Sequence, residues 1–231
     1  MCKLFFSLNN ANYINNLKQF LEQTFTPPIS TDGFGISWFE NNKWRFYKNQ
    51  NSYNNDMIVN NVISNIDSMC IIAHIRHICP QCANISYNNT HPFVHNNNIF
   101  IHNGVIEDFD KNKILKYIDN KYIDYIEGNT DSEYIFYLLL TLKDKYKHKL
   151  IMKNLFIILK KISKKFYANI MFADKKYIII TRYAWGGEPI KLYYNKNNNG
   201  VLITTEPLTK KYNMIPVNKV LLYKFNYFDN H

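Results

Sequence analysis

Cysteine is scarce: the 231 residues hold four, Cys2, Cys70, Cys79 and Cys82. In a chain this long that number excludes a disulfide framework of the kind that staples small secreted domains. Long hydrophobic runs are missing too. No stretch approaches the ~18 apolar residues of a membrane-spanning helix. The longest candidate, 151–162, is broken by Lys153, Asn154, Lys160 and Lys161. The apolar run at 4–8 is too short for the core of a secretion signal. Neither a Gly/Ser-rich linker nor an internal repeat divides the chain, which suits a single domain over residues 1–231. These absences lead to the expectation of a soluble, cytoplasmic protein in a reducing compartment, without membrane attachment, whose thiols stay free.

Acidic side chains are outnumbered, 18 against 28 basic ones, for a net charge of +10. Such a balance permits attraction to nucleic acid. Much of the excess lies at 143–165, in two segments whose apolar residues recur at helical spacing, so the solvated outer faces of helices account for it. No recognised nucleic-acid-binding module accompanies it, and nucleic-acid binding stands only as an alternative. Asn is abundant, with 34 residues; like Lys, Ile and Tyr it has A/T-rich codons, so this bias reflects genomic base composition. With 46% hydrophobic and 16% aromatic residues, the chain can bury a sizeable core.

Hydrophobic periodicity orders the elements. Strands are expected at 3–8, 34–38 and 43–47, the last two joined by a turn at Asn41-Asn42, and then at 70–76 and 98–102. Helical spacing appears at 11–25, closed by Pro27-Pro28, and at 57–66, 111–118, 131–146 and 150–164. The last third alternates again, at 168–173, 176–182, 190–194, 201–205 and 220–225. Strands, then helices, then strands predict an α+β fold of two sheets covered by helices.

Cys2 follows the initiator Met1, and methionine aminopeptidases remove Met when a small residue follows. The mature chain is then expected to begin with a residue that carries both a thiol and a free α-amine. That amine has a pKa of about 7.7–8 and can act as general base for its own side chain. Alone, a cysteine at this position carries no function. Polar clusters stand where strands end: Asp32-Gly33-Phe34-Gly35, His74-Ile75-Arg76, Asn89-Thr90-His91-Pro92-Phe93 and His102-Asn103-Gly104. A fifth, Gly128-Asn129-Thr130-Asp131-Ser132-Glu133, opens a helix. Singly, each has a structural explanation. Asp-Gly and Asn-Gly are turn dipeptides, Thr130 and Glu133 have capping-box spacing, and His74 and Arg76 share a strand face from which surface carboxylates could be reached. Cys79 and Cys82, with His74, His77 and His91 nearby, give a zinc or redox alternative. They supply only half of a zinc constellation, since no second CxxC follows, and the H-x-E of zinc deaminases is absent. Neither a metal nor a cofactor is expected.

Taken in order with Cys2, these clusters resemble the class II glutamine amidotransferases, which are N-terminal-nucleophile hydrolases. Thr181-Arg182-Tyr183, then Thr204-Thr205-Glu206-Pro207-Leu208 ahead of Ile215-Pro216, extend the resemblance to about residue 225. The pattern is similar to the stand-alone branch that includes γ-glutamyl hydrolases of thiol metabolism. The resemblance implies a four-layer αββα sandwich of two mainly antiparallel sheets. It implies hydrolysis of the γ-amide of glutamine or a γ-glutamyl compound through a thioester on Cys2, releasing glutamate and ammonia or an amine. It assigns the oxyanion hole to the Asn103 side-chain amide and the Gly104 backbone N–H. The substrate α-carboxylate falls to Arg76, with His74 beside it, and the α-ammonium to Asp131. The implied partner is a small-molecule substrate, with a separate ammonia-accepting synthase as the further partner such chemistry allows. Phe34 stands where the family often has Trp, and Cys79 and Pro80 follow Arg76 where many members carry Thr and a small or polar residue. Those departures bear on the shape of the pocket more than on the chemistry.

Overall fold

Side-chain alternation along the strands sets up the layers. The computed structural model describes residues 2–22, 32–77, 85–198 and 200–224. The elements of the first half are β1 (Lys3–Leu8), α1 (Tyr13–Glu22), β2 (Phe34–Glu40), β3 (Lys43–Asn49), α2 (Val59–Ser64), β4 (Cys70–Ile75), β5 (Phe93–His95) and β6 (Asn98–Ile106). Four helices follow, α3 (Lys111–Leu115), α4 (Asn120–Ile123), α5 (Asp131–Lys145) and α6 (His148–Ile162). The chain then returns to strands with β7 (Phe166–Ala173), β8 (Tyr177–Trp185), β9 (Tyr193–Asn197), β10 (Gly200–Thr204), β11 (Asn213–Met214) and β12 (Lys219–Lys224). One sheet runs β11-β9-β10-β1-β4-β2-β3 and the other β12-β8-β7-β6-β5. Every pairing in both is antiparallel.

Three apolar cores separate four layers. Leu17, Phe20 and Leu21 of α1, with Val59 and Ile63 of α2, pack on Phe5, Ile36, Ile71 and Ala73 of the first sheet. The opposite faces of those strands, through Leu4, Phe6 and Ile72, meet Ile99, Ile101, Met171 and Ile180 of the second sheet. On its far side that sheet offers Phe100, Ile170, Phe172 and Ile179 to α3, α5 and α6. Strands covered on both faces need not alternate in polarity, which is why β1 and β4 read as continuous apolar runs. The αββα sandwich and its α+β class follow from these contacts.

Several boundaries differ from expectation for identifiable reasons. β6 continues to Ile106 because β7 pairs with it along its whole length, from Ile99↔Ala173 to Ile106↔Phe166; Asn103-Gly104 thus lies inside a strand and makes no turn. The helix expected at 57–66 shortens to α2, whose start is fixed by the Asp56 carboxylate accepting the Ile58 and Val59 N–H groups at 2.9 and 3.0 Å. β9 starts at Tyr193, three residues later than expected, since the carbonyls of Ile190 and Lys191 are held by Asn169 and Arg182 side chains. Asn41 and Asn42, with φ of 50° and 57°, form the expected turn in the left-handed geometry that suits a two-residue hairpin. β5, α4 and β11 were not expected; each is too short for periodicity to register. Pro27-Pro28, Cys79, Pro80 and Cys82 lie outside the described residues.

Candidate active site

Parity along the strands brings the site together at one end of the sandwich. Leu4 and Phe6 of β1 face the second sheet, so Cys2, two residues before Leu4, continues that inner row. Ile72 of β4 faces the same way, and so by alternation do His74 and Arg76. From the other sheet, Ile99 and Ile101 of β6 point back toward the first, which gives Asn103 the same inward direction. Where the apolar core between the sheets ends, the next inward positions are therefore Cys2, Arg76 and Asn103.

The Cys2 thiol is half-buried. It accepts the His77 backbone N–H at 3.4 Å, and its Sγ stands 3.6 Å from the His77 carbonyl oxygen. Burial pushes the thiol pKa up; the His77 N–H and Arg76 pull it down, and Asp131 opposes them. A positive and a negative side chain thus both act on this sulfur. Raised by burial, the thiol rests protonated and requires a base to react.

Asn103 is 2% exposed, and its Nδ2 is buried with no hydrogen-bond acceptor among the described residues. A buried donor left without a partner costs about 1–3 kcal/mol, and such defects concentrate where function requires them. The next residue cannot carry a side chain: a Cβ on Gly104 would overlap the Tyr167 carbonyl oxygen and close on His102 Nε2. Cys2 and Asn103 share a cleft of about 1060 Å³ whose walls include Tyr167, Lys191, Tyr193 and Glu206. Arg76 and Asp131 lie outside that lining.

Two residues that shape this cleft continue the row of Asn103 across the sheet, Asn169 opposite Asn103 and Arg182 opposite Asn169. Asn169 donates from Nδ2 to the carbonyls of Ile190 and Lys191 at 3.4 and 3.3 Å. Arg182 donates from Nε to Ile190 and from an NH1 group to Ile215, at 2.8 and 2.7 Å. Together they pin the wall segment 189–191. Asn169 was missed in the sequence, though an Asn in the apolar run F-Y-A-N-I-M-F-A was a visible signal. On the opposite wall, Thr205 holds β1 in place, as its Oγ1 accepts Leu4 N–H at 3.2 Å.

Arg76 follows β4 and is 5% exposed; its N–H donates to the Gly33 carbonyl at 2.8 Å. Asp131 begins α5, where Thr130 caps the helix by accepting the Glu133 N–H. Its two oxygens are both engaged: Oδ2 accepts Ile106 N–H at 2.8 Å and Oδ1 accepts Ser132 N–H at 2.8 Å. The carboxylate is thereby tied to β6, the strand that carries Asn103.

A family model for class-II glutamine amidotransferases matches residues 1–184. The chain belongs to the class II glutamine amidotransferases. Over 127 residues it is 32% identical to the probable glutamine amidotransferase DUG3 of Saccharomyces cerevisiae, covering 51% of this chain and 35% of that protein. A putative glutamine amidotransferase of Haemophilus influenzae is 32% identical over 140 residues, 58% of this chain and 45% of its own. The chain thus spans less than half of each of those two relatives. Among solved structures, a class-II domain protein from Silicibacter pomeroyi superposes with a TM-score of 0.67 at 17% identity, covering 96% of this chain and 94% of that one. Glutamine phosphoribosylpyrophosphate amidotransferase from B. subtilis superposes with a TM-score of 0.63 at 14% identity, covering 97% of this chain and 47% of that one. Both likenesses are of fold: the N-terminal-nucleophile hydrolase sandwich.

In this amidotransferase chain three histidines lie beneath the site. His74 is fully buried, so it neither lines the cleft nor reaches a surface carboxylate; its Nε2–H donates to the His102 carbonyl at 3.1 Å. His91 packs on it at 4.0 Å between ring centroids. The segment bearing His91 crosses Gly35 so closely that a Cβ there would overlap the His91 carbonyl oxygen. Burial lowers all three ring pKa values, that of His74 from 6.5 to about 3 and that of His91 well below its ordinary value. Arg76 pushes His74 and His91 further down, Lys48 adds to this at His91, and Asp131 opposes it at His102. The unfolded chain takes up these protons below about pH 6.5 while the folded chain does not. Stability is therefore complete above that pH and falls as pH drops through the window beneath it. Between pH 7 and pH 5 the loss is expected to be about 2 kcal/mol for a ring displaced this far, readable as a fall in the urea midpoint; a midpoint flat over that interval contradicts it. Among the described residues no group of three or more His, Cys, Asp or Glu side chains is arranged to hold a metal ion. No helix among them is long and apolar enough to cross a membrane.

Proposed function

We propose that this protein hydrolyses the γ-amide of glutamine or of a γ-glutamyl compound, with Cys2 as nucleophile. One observation carries the reading: Asn103, whose Nδ2 is a buried amide donor without an acceptor among the described residues, lines the same cleft as Cys2. An unfilled donor beside a nucleophile suits charge that exists only in the transition state.

On this reading removal of Met1 exposes the Cys2 α-amine, which takes the thiol proton as Sγ attacks the γ-carbonyl carbon. The tetrahedral oxyanion is stabilised by the Asn103 amide and the Gly104 N–H. Collapse breaks the C–N bond, the departing nitrogen takes the proton from the α-amine, and a γ-glutamyl thioester remains on Cys2. Water, deprotonated by the same amine, then attacks the thioester; the C–S bond breaks, Sγ regains the proton from the amine, and glutamate leaves. Arg76, with its planar two-pronged head, holds the α-carboxylate, and Asp131 holds the α-ammonium. The opposing effects of these two charges on the thiol support a zwitterionic ligand beside it.

A screen of glutamine, glutathione and simpler γ-glutamyl amides, scored by glutamate release, tests the reaction; no release from any of them sinks it. Arg76→Ala is expected to lower kcat/KM roughly 10–150-fold, mainly through KM, matching the about 1.5–3 kcal/mol of hydrogen bonds to a charged group. Unchanged KM in that variant removes Arg76 from the site.

A further inference from the structure

His102 contacts the neighbours of Asp131 and Arg76 and adjoins Asn103 in the chain, without being part of the cleft lining. Its side chain points away from Cys2, across the second sheet, because Phe100 two residues earlier faces the helices. There its Nδ1 stands 2.9 Å from Ser132 Oγ in a buried contact. Ser132 is the residue after Asp131, and both its N–H and its hydroxyl donate to Asp131 Oδ1, at 2.8 and 3.4 Å. Backward along the chain, the His102 carbonyl accepts from His74, two residues before Arg76. Forward, His102 is bonded to Asn103. The strand carrying the oxyanion donor, the helix carrying the ammonium seat and the strand leading to the carboxylate grip all meet at this one residue.

We infer that the His102–Ser132 pair is the positioning device for Asp131, aiming its carboxylate at the substrate α-ammonium. The inference rests on the glutamine-hydrolase reading above. Backbone N–H groups hold both Asp131 oxygens, Ile106 on Oδ2 and Ser132 on Oδ1. Among the described residues the Ser132 hydroxyl is the one side-chain donor that adds to them, on Oδ1, and His102 restrains that hydroxyl: with Nδ1 protonated it donates to Oγ, so that the hydroxyl proton is directed to Asp131. Neither residue touches the reacting atoms. Their effect therefore appears in binding of the amino-acid end and not in the chemical step.

Glutaramate, which is glutamine without its α-amine, separates this role from a structural one. Ser132→Ala, compared with wild type by steady-state kinetics, is expected to raise the glutamine KM about tenfold with kcat held within about threefold. Preference for glutamine over glutaramate should fall by a similar factor, because the second amide has no ammonium to lose. His102→Gln moves the polar atom away from Ser132 and should behave alike, whereas His102→Asn keeps one where Nδ1 stands and should show the smaller KM change. A fall in kcat with KM intact, equal losses on both amides, or no change in either variant overturns the inference. Wild-type protein that releases glutamate from none of glutamine, glutathione and simpler γ-glutamyl amides fails at an earlier step, and takes both the reading and this inference with it.

Discussion

Cys2→Ala protein is expected to release no measurable glutamate, a loss of roughly 10⁴-fold or more, while folding as the wild type does. The size follows from the role: without sulfur there is no thioester, and the remaining donors have no covalent intermediate to stabilise. Stability is insulated because, among the described residues, the thiol holds two long contacts, both to His77; removing it should move the unfolding free energy by no more than about 1 kcal/mol. Cys2→Ser separates two causes of inactivity. Its hydroxyl keeps the shape but is far harder to deprotonate at a site where burial already disfavours the anion, so it too should be nearly inactive. Protein in which Met1 is retained, through a tag that cannot be cleaved, keeps the thiol and loses the α-amine as base. It should fold and remain inactive until the tag is removed. Turnover by the Ala variant, or full activity with an extended N-terminus, would sink the mechanism.

The order of polar clusters disclosed the family and the αββα class, while the faces of the strands stayed illegible, and the reason is physical. Chemistry needs particular atoms, so the residues proposed for it, Cys2, Arg76, Asn103, Gly104 and Asp131, stand out as letters in the sequence. Packing needs only volume and apolarity, and doubly covered strands give up the alternation that would mark their faces. β4, C-I-I-A-H-I, is buried throughout; nothing in those letters says that Ile72 meets the second sheet while Ile71 meets α1 and α2. His74 illustrates the same limit. A histidine two residues before Arg76, the residue proposed to grip the carboxylate, invites a place in the pocket, yet the parity that carries Arg76 past the end of the core leaves His74 within it, against His91 and His102. Asn169 shows the converse. Its importance comes from standing opposite Asn103 in the β6–β7 register, a relation between strands some 60 residues apart that local pattern cannot carry.

Asn103→Ala should lower kcat by about 10²–10³ and leave KM nearly unchanged, since an oxyanion donor is worth about 2.7–4 kcal/mol only when the charge forms. The more discriminating expectation concerns stability. Truncating a buried polar side chain ordinarily destabilises, because its partner is left unsatisfied. Asn103 Nδ2 has no partner to abandon among the described residues, and the residue lines an open cleft. Loss of the unpaired donor relieves a desolvation cost that offsets the lost packing, so the unfolding free energy should stay within about 1 kcal/mol of wild type. Asn103→Asp tests the sign of the effect. It is nearly isosteric, but replaces a donor with an acceptor aimed at the developing oxyanion, and should be at least as damaging to kcat as the Ala variant. Activity and stability falling together in Asn103→Ala would mark the residue as packing. Activity lost from a protein as stable as before is the signature of a donor held in reserve for the transition state.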